Sequence, residues 1–445
     1  MKNDMPLFSF CQVCTGLDVC YNIGKNNIGG VWVNHIEYTQ SIPVAKEHDV
    51  AVAGGGLGGV AAALAARRAG KSVLLVEKST ILGGLATLGL INFFVPMCDG
   101  NGHAVIRGLC RELLELSIRY GYDTLPETWR GGEAAPGEQS RYVTQFSHSI
   151  FALALTEMVV SEGIDLLFDT AFSAPLMQDG RCLGLITESK SGREFHPAGV
   201  VVDATGDADV LFRAGVPTVQ GKNYFTYLAK AIDIAHCKKA AASGRIQDAY
   251  YGVEGGGATW WGANQPENEP YYLGTDARDV TEYLVRNQRL LLSHIRNDPR
   301  DSRDIAVLPG MAQLRTTRRL AGDFTLTTED VFRSFPDSVG VICDFEKRGD
   351  LYEIPLRTLT RRDFPNLITC GRSVSAAGYA WDVTRVIPPA ILTGQAAGVI
   401  AAQALSENCA VSAVNLEKTQ ATLARQDVWI HIPENLRPKT NTVKN

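Results

Sequence analysis

The sequence predicts an α/β fold: a Rossmann-like nucleotide-binding domain in three ββα layers, with a β-meander and an inserted α+β lobe that caps it. Three observations carry this. The apolar run Asp49 to Ala53 meets Gly54-Gly55-Gly56-Leu57-Gly58-Gly59, an alanine-rich helical stretch follows, and Ser72-Val73-Leu74-Leu75-Val76 ends on Glu77. That is strand, helix and strand with a glycine-rich first turn. Residues 172–199 alternate short strands with Asp179-Gly180 and Ser191-Gly192 turns, the pattern of a meander. From Ala214 to about Ile342, aromatics, glycines and polar helical stretches replace the Rossmann pattern, which marks a separate lobe.

The leading stretch, residues 1–35, is expected to be disordered or a non-native extension. Ile28-Gly29-Gly30-Val31 can be encoded by a purine-rich ribosome-binding sequence, and Val33 by a GTG start shortly after it, so residues 1–32 read as an upstream extension. Cys11, Cys14 and Cys20 form a CxxC with a third thiol, but no fourth ligand stands nearby and no metal is predicted. The first part of the nucleotide domain then spans 36–213, with a helical excursion over 92–160. Val105, Leu109, Leu113 and Leu116 predict an amphipathic helix over 104–120, ended by Gly121. Residues 121–142, rich in Gly, Pro and Glu, read as an exposed excursion, and Phe146 to Ser161 as a second helix leading into the strand 165–169. The cap lobe covers 214–342, the nucleotide domain returns over 343–408, and 409–445 form a C-terminal tail.

The glycine turn carries the chemistry. Gly54 permits the tight turn, Gly56 lets the backbone approach a pyrophosphate, and Gly59 lets the helix pack close to the sheet. Phosphates sit well on a helix N-terminus because its unpaired N–H groups and dipole favour negative charge. Glu77, 23 residues beyond Gly54, is placed to accept hydrogen bonds from a ribose diol.

Downstream of Glu77-Lys78 comes a second glycine pair, Gly83-Gly84-Leu85-Ala86-Thr87. With it, Val200-Val201-Val202-Asp203-Ala204-Thr205-Gly206-Asp207, Asn366-Leu367-Ile368-Thr369-Cys370-Gly371-Arg372 and Thr393-Gly394-Gln395-Ala396-Ala397-Gly398 resemble the glutathione-reductase-like FAD-binding superfamily. Over residues 36–405 the chain most resembles the FAD-dependent oxidoreductase family that also contains the heterodisulfide reductase flavoprotein subunit. The resemblance implies FAD, with the adenine near Ala171 and cofactor contacts from Gly54, Gly56, Leu57, Gly58, Gly59, Glu77, Lys78, Gly83, Gly84, Thr87, Ala204, Thr205, Gly206, Gly371 and Arg372. It also implies a flavin-edge helix opening near Pro389, Ala390 and Ile391, with the amides of Ala390, Ile391 and Leu392 as donors. Where many superfamily members carry Gly-Asp, this chain has Gly371-Arg372, so Arg372 is assigned to phosphate or substrate and Asp382 is the candidate for the missing carboxylate.

Covalent flavin attachment often uses a histidine just after the second glycine pair. None lies between Gly84 and Asn101, so FAD is expected to be held non-covalently. Arg385 could clamp a substrate oxygen, Tyr379 or Asp382 could move a proton, and Trp381 could form a wall, with a structural Arg–Asp pair as the alternative. His103 and Cys98 read more simply as a loop residue and a packing thiol. Trp260-Trp261 and Tyr271-Tyr272 suit core or oligomer packing, with stacking on a ring or sugar as the alternative, which leaves room for a homo-oligomer. Arg315, Arg318 and Arg319 suit an anionic ligand or a solvated helix face.

These residues predict an FAD-dependent oxidoreductase that exchanges a hydride with a small-molecule polar substrate and then with a separate electron acceptor or donor. The alternative is an electron-transferring subunit of a larger redox complex, although residues 36–445 lack the cysteine-rich cluster motifs of such relatives. A net charge of −5 argues against a nucleic-acid partner. No apolar run is long enough to predict a membrane span, and ten scattered cysteines read as reduced thiols of a cytoplasmic protein.

Overall fold

The computed structural model describes residues 9–14, 17–22, 37–257, 265–296 and 298–438, with side chains from residue 39 onward. Within the leading stretch the backbone forms strands Ser9–Cys14 and Leu17–Asn22, the second pairing antiparallel with Glu37–Gln40. The expectation of a disordered or non-native leader over residues 1–35 falls mostly outside the described residues. Val13, Val19 and Tyr21 are strand formers. The rest of residues 1–32 and the side chains of Cys11, Cys14 and Cys20 lie outside the described residues, as do Trp260 and Trp261.

The nucleotide domain is built on parallel strands in the order Asp165–Leu167, Val73–Val76, His48–Ala53, Gly192–Asp203 and Leu367–Thr369. Alternation along the central strand sorts its side chains between two layers. Val50 and Val52 enter the large core shared with the helices, whereas Ala51 and Ala53 face Cys182, Leu185, Leu211 and Leu320. The early half of Gly192–Asp203 also pairs antiparallel with Arg181–Ser189, and that strand with Ala171–Gln178, which makes the predicted meander. The result is the expected three-layer ββα arrangement.

On the helical face, Leu57–Arg68 packs against the long helix Ile387–Glu407. The crossing is close because a Cβ on Gly394 would fall within 3.0 Å of Gly58 Cα, and one on Gly398 within 2.8 Å of Ala65 Cβ. Since Leu57–Arg68 starts at the glycine turn and Ile387–Glu407 starts at the cleft described below, this seam sets the distance between the two ends of the site.

In the helical excursion the predicted helix runs Leu109–Arg119 and starts five residues later than expected, because Gly108 (φ 61°, ψ −135°) blocks helical continuation towards Val105. The next helix, His148–Ser161, is capped by Ser147. Between them the segment is less exposed than its composition suggested. Trp129 is buried and stacks on Tyr142 with ring centroids 4.9 Å apart, which anchors the Gly- and Pro-rich loop to the core.

The cap lobe carries a three-stranded antiparallel sheet, Tyr250–Gly257, Thr226–Asp233 and Arg303–Val307, with the helix Ala277–Ile295 against one face through Leu291, Tyr227 and Ala229. Asn223 fastens this lobe. Its buried amide donates to Leu273 O (3.3 Å) and Thr317 Oγ1 (3.1 Å), and its Oδ1 accepts from the N–H groups of Arg315 (2.6 Å) and Thr316 (3.0 Å). Asn223→Ala is therefore expected to cost about 2–4 kcal/mol, by leaving buried donors unpaired. Chemical denaturation followed by tryptophan fluorescence measures it, and Asn223→Asp, which retains the acceptor, is expected to lose less. Among the described residues no helix is long and apolar enough to cross a membrane.

Candidate active site

A cleft of about 630 Å³ runs along the carboxyl ends of the parallel strands, from the end of Val73–Val76 past the glycine turn to the start of Ile387–Glu407. Ligands in open α/β sheets settle at this edge, where helix N-termini face the gap between strands. Gly54 has φ 107°, and a Cβ there would meet the Ala204 carbonyl. Gly59 packs its Cα against the Gly54 carbonyl, so it supports the turn from behind and does not line the cleft. Gly56 differs. Its backbone (φ −64°, ψ 170°) suits any residue, yet a Cβ there would meet nothing within 4 Å and would project into free space at the cleft. The helix behind it has no side-chain cap and no acid in its first turn, so its first N–H groups face the cleft unopposed.

Glu77 lines the cleft and spans two loops. Oε2 accepts from Gly55 N–H at 2.7 Å and Oε1 from Ser79 N–H at 2.8 Å. Each oxygen keeps a second lone pair for a hydroxyl donor. The second glycine pair docks on the first, with Gly83 N–H donating to Gly55 O at 2.8 Å. Thr87 faces away from the cleft. Its hydroxyl is buried and donates to Leu82 O at 2.6 Å, and its side chain fills the space beside Gly83. It shapes the loop and does not line the cleft.

Beneath the Ala204-Thr205-Gly206 turn lies Asp203, fully buried. Its Oδ1 accepts from Thr205 N–H (3.0 Å) and Thr205 Oγ1 (2.7 Å), and its Oδ2 from Leu211 N–H (2.9 Å). Burial raises its pKa from 3.8 to about 6, against the pull of those hydrogen bonds. The native state thus holds this proton more tightly than the unfolded chain. The contribution to stability is full below pH 3.8 and is lost as pH rises through about 6. In Asp203→Asn the decline in melting temperature between about pH 4 and pH 6 is expected to flatten. Thermal melts across that range decide it, and an unchanged slope would place the titration elsewhere.

Arg372 and Asp207 both line the cleft and pair with each other at 2.9 Å, so the carboxylate beside Arg372 is Asp207 and not Asp382. Asp382 instead pairs with Arg385, its Oδ1 accepting from Nε (2.9 Å) and Nη2 (2.6 Å), with both side chains nearly buried. Arg385 reaches the cleft lining and Asp382 does not. Tyr379 points elsewhere. Its hydroxyl donates to Asp344 Oδ1 at 2.8 Å beside Phe345, outside the cleft.

The long helix also starts earlier than its prolines suggested. Val386 is the N-cap, Pro388 and Pro389 lie within the first turn, and Ala390 N–H already donates to Val386 O at 3.0 Å. Ile391 is wholly buried. The first-turn donor left at this end is the Ile387 amide, and Ile387 and Ala390 are the residues that line the cleft. The structure therefore does not support Ala390, Ile391 and Leu392 as the donors.

Gly54, Gly56, Leu57, Gly58, Glu77, Lys78, Gly83, Gly84, Ala171, Ala204, Thr205, Gly206, Gly371, Arg372, Arg385 and Ala390 share the cleft, as the sequence led one to expect. Pro389 does not line it; its carbonyl accepts from Thr393 Oγ1. His103, with Nδ1 2.7 Å from Asp99 Oδ2, and the buried Cys98 also lie outside. Burial raises the Cys98 thiol pKa, which removes thiolate character. Leu88, Arg213, Gly310 and Met311 line the cleft unforeseen. Gly310 N–H donates to Leu88 O at 2.9 Å, which brings the cap lobe to the cofactor loop, a tertiary contact with no local signature. Asp207 was legible as the residue closing the Ala-Thr-Gly turn.

Residues 49–250 and 275–423 match the family model described as FAD dependent oxidoreductase. The chain belongs to the FAD dependent oxidoreductase family. Its cofactor is FAD, and the residues present fit that group: an empty cradle at Gly56, uncapped helix amides at one end, a carboxylate with spare lone pairs at Glu77, and a free helix start at Ile387. Among solved structures, the oxidoreductase is similar to a geranylgeranyl bacteriochlorophyll reductase-like protein from Thermoplasma acidophilum (16% identity, 86% of this chain and 84% of that one, TM-score 0.42). It is also similar to p-nitrophenol 4-monooxygenase from Pseudomonas putida DLL-E4 (14%, 88% and 91%, TM-score 0.45) and to a flavoprotein/dehydrogenase from Cytophaga hutchinsonii (14%, 85% and 82%, TM-score 0.42). Likeness of this degree does not bear on substrate or reaction. Comparison with curated proteins by sequence gives no match.

Proposed function

We propose that this oxidoreductase moves a hydride between non-covalently held FAD and a carbon of a small polar substrate, and that a separate acceptor or donor balances the electrons. The observation that carries this reading is the cleft itself, which is lined by the glycine turn, by the Ile387 helix start and by Arg385, Leu88 and Met311. In this reading the Leu57–Gly59 amides hold the pyrophosphate, Glu77 a ribose diol, and the Ile387 N–H with its helix dipole the flavin's electron-rich edge. When bound, FAD supplies the two-electron redox chemistry, and the chain supplies orientation and electrostatics.

Arg385 orients a substrate oxygen because Asp382 fixes its guanidinium from behind. Leu88 and Met311 present apolar surface where water would otherwise compete. The described cysteines are unpaired thiols, in keeping with a cytoplasmic enzyme.

Anaerobic titration of the FAD-loaded protein with a metabolite panel tests the reading. Bleaching of the flavin by a small molecule alone is the expected result. Bleaching only in the presence of a partner protein would replace it with the electron-transfer subunit.

A further inference from the structure

A buried glutamine ties the cap lobe to the cofactor loop that follows the second glycine pair. Gln313 is only 2% exposed, stands two residues past the cleft-lining Met311, and uses every hydrogen-bonding atom of its amide. Oε1 accepts from Leu228 N–H (2.8 Å), while Nε2 donates to Leu228 O (2.9 Å) and to Gly89 O (2.7 Å). Leu228 belongs to the central strand of the cap sheet, Thr226–Asp233, whose ladder with Arg303–Val307 reaches back only to Lys230. Gln313 stands where a strand partner for Leu228 would otherwise be.

The loop on the other side of the amide is held from outside. Its own backbone bonds run from Gly89 N–H to Gly84 O (3.1 Å), from Leu90 N–H to Thr87 O (3.2 Å) and from Ile91 N–H to Leu85 O (2.9 Å). The carbonyls of Leu88 and Gly89 take no part in these. They go to the cap lobe, Leu88 O to the Gly310 amide at 2.9 Å and Gly89 O to Gln313. Next to them, Leu90 is buried with φ 57°, a conformation that L side chains rarely adopt and that persists where the surroundings over-determine it. Gly310 packs on the Leu88 side chain as well, since a Cβ there would lie 2.6 Å from Leu88 Cδ2.

A glutamine kept only to complete the sheet would need its bonds to Leu228 and nothing more. The third bond instead joins cap to loop one residue from Leu88, and Leu88, Gly310 and Met311 all line the cleft.

We infer, resting on the FAD placement proposed above, that Gln313 is a positioning residue: it clamps the cap lobe to the cofactor loop so that Leu88 and Met311 stay over the flavin and keep water and the cofactor from exchanging. When the clamp opens, the wall parts and FAD is free to leave.

The test measures how fast FAD leaves the loaded protein, from the rise of free-flavin fluorescence on dilution, at a temperature where circular dichroism shows each variant folded. Gln313→Ala and Leu88→Ala are each expected to release FAD at least ~10-fold faster than the parent. Because both act through one wall, the double variant should be no more than about threefold faster than the faster single one, whereas independent effects would multiply to ~100-fold. Multiplied rates, or a Gln313→Ala rate within about twofold of the parent's, would overturn the inference. Hydrogen exchange of the parent protein decides the matter should Gln313→Ala not fold. Loading with FAD is expected to slow the Leu228 and Gly310 amides together, by at least ~10-fold, and unchanged exchange at either would overturn the clamp. The two readings fail differently. Leu88→Ala without effect on release would overturn the wall together with the proposed FAD placement, faster release in Leu88→Ala but not in Gln313→Ala would overturn the clamp alone, and hydride transfer is judged by the metabolite panel, which these rates do not touch.

Discussion

Gly56→Val is expected to give a folded, colourless protein. The position adopts φ −64° and ψ 170°, which valine tolerates, and a Cβ there contacts no protein atom within 4 Å. Glycine is therefore not needed at position 56 for the fold itself. The methyl groups would instead occupy space beside the uncapped amides at the start of Leu57–Arg68, where the proposed binding mode brings the pyrophosphate to the backbone. Overpacking of about 3 kcal/mol corresponds to roughly 100-fold weaker FAD binding. Fluorescence titration of the stripped protein with FAD measures the change, and circular dichroism checks the fold. Affinity within a factor of about two of the parent would mean that the cofactor does not pass over Gly56.

Gly398→Leu is expected to fail for the opposite reason. At this position the space is already taken by Ala62 O and, at 2.8 Å, Ala65 Cβ. A leucine would force apart Leu57–Arg68 and Ile387–Glu407, a seam that is also tight where Gly394 meets Gly58. Rigid backbone lies on both sides, so relaxation is limited and the cost is expected to reach about 3 kcal/mol or more. The separation would also move Gly58 away from Ala390, two residues that line the cleft from opposite helices, so flavin content should fall with stability. Gly398→Ala is expected to fall between the two. Melting temperature and flavin content of the purified variants, read together, check the link. A leucine variant that melts like the parent and keeps its flavin would remove the seam from the account.

The two substitutions also show what the sequence could and could not convey. The glycine turn, the acid at position 77 and the meander were legible because each depends on neighbours a few residues apart, through backbone conformations that glycine or β-branched residues favour. The start of the flavin-edge helix was misread because Pro388-Pro389 looks like a boundary. Prolines lacking an N–H cost nothing within the first helical turn, where no acceptor awaits that group, so the helix can begin ahead of them at Ile387. Thr87 was expected at the cleft because its proximity to the glycine pair does not reveal that the loop turns its hydroxyl onto Leu82 O. Asp382 and Arg385 were readable as a pair at helical spacing, but the partner of Arg372 came from Asp207, 165 residues earlier. The approach of Arg319 to the Trp381 ring is likewise purely tertiary; the sequence offered Arg315, Arg318 and Arg319 only as a basic cluster, and Arg318 leaves it to pair with Asp209 at 2.6 Å.

The most direct test of the account is the visible spectrum of the purified protein, followed by acid precipitation and identification of what remains in the supernatant. One FAD per chain, released without proteolysis, is the predicted result. A colourless protein that takes up no FAD on reconstitution, or a flavin that stays with the precipitated chain, would contradict it.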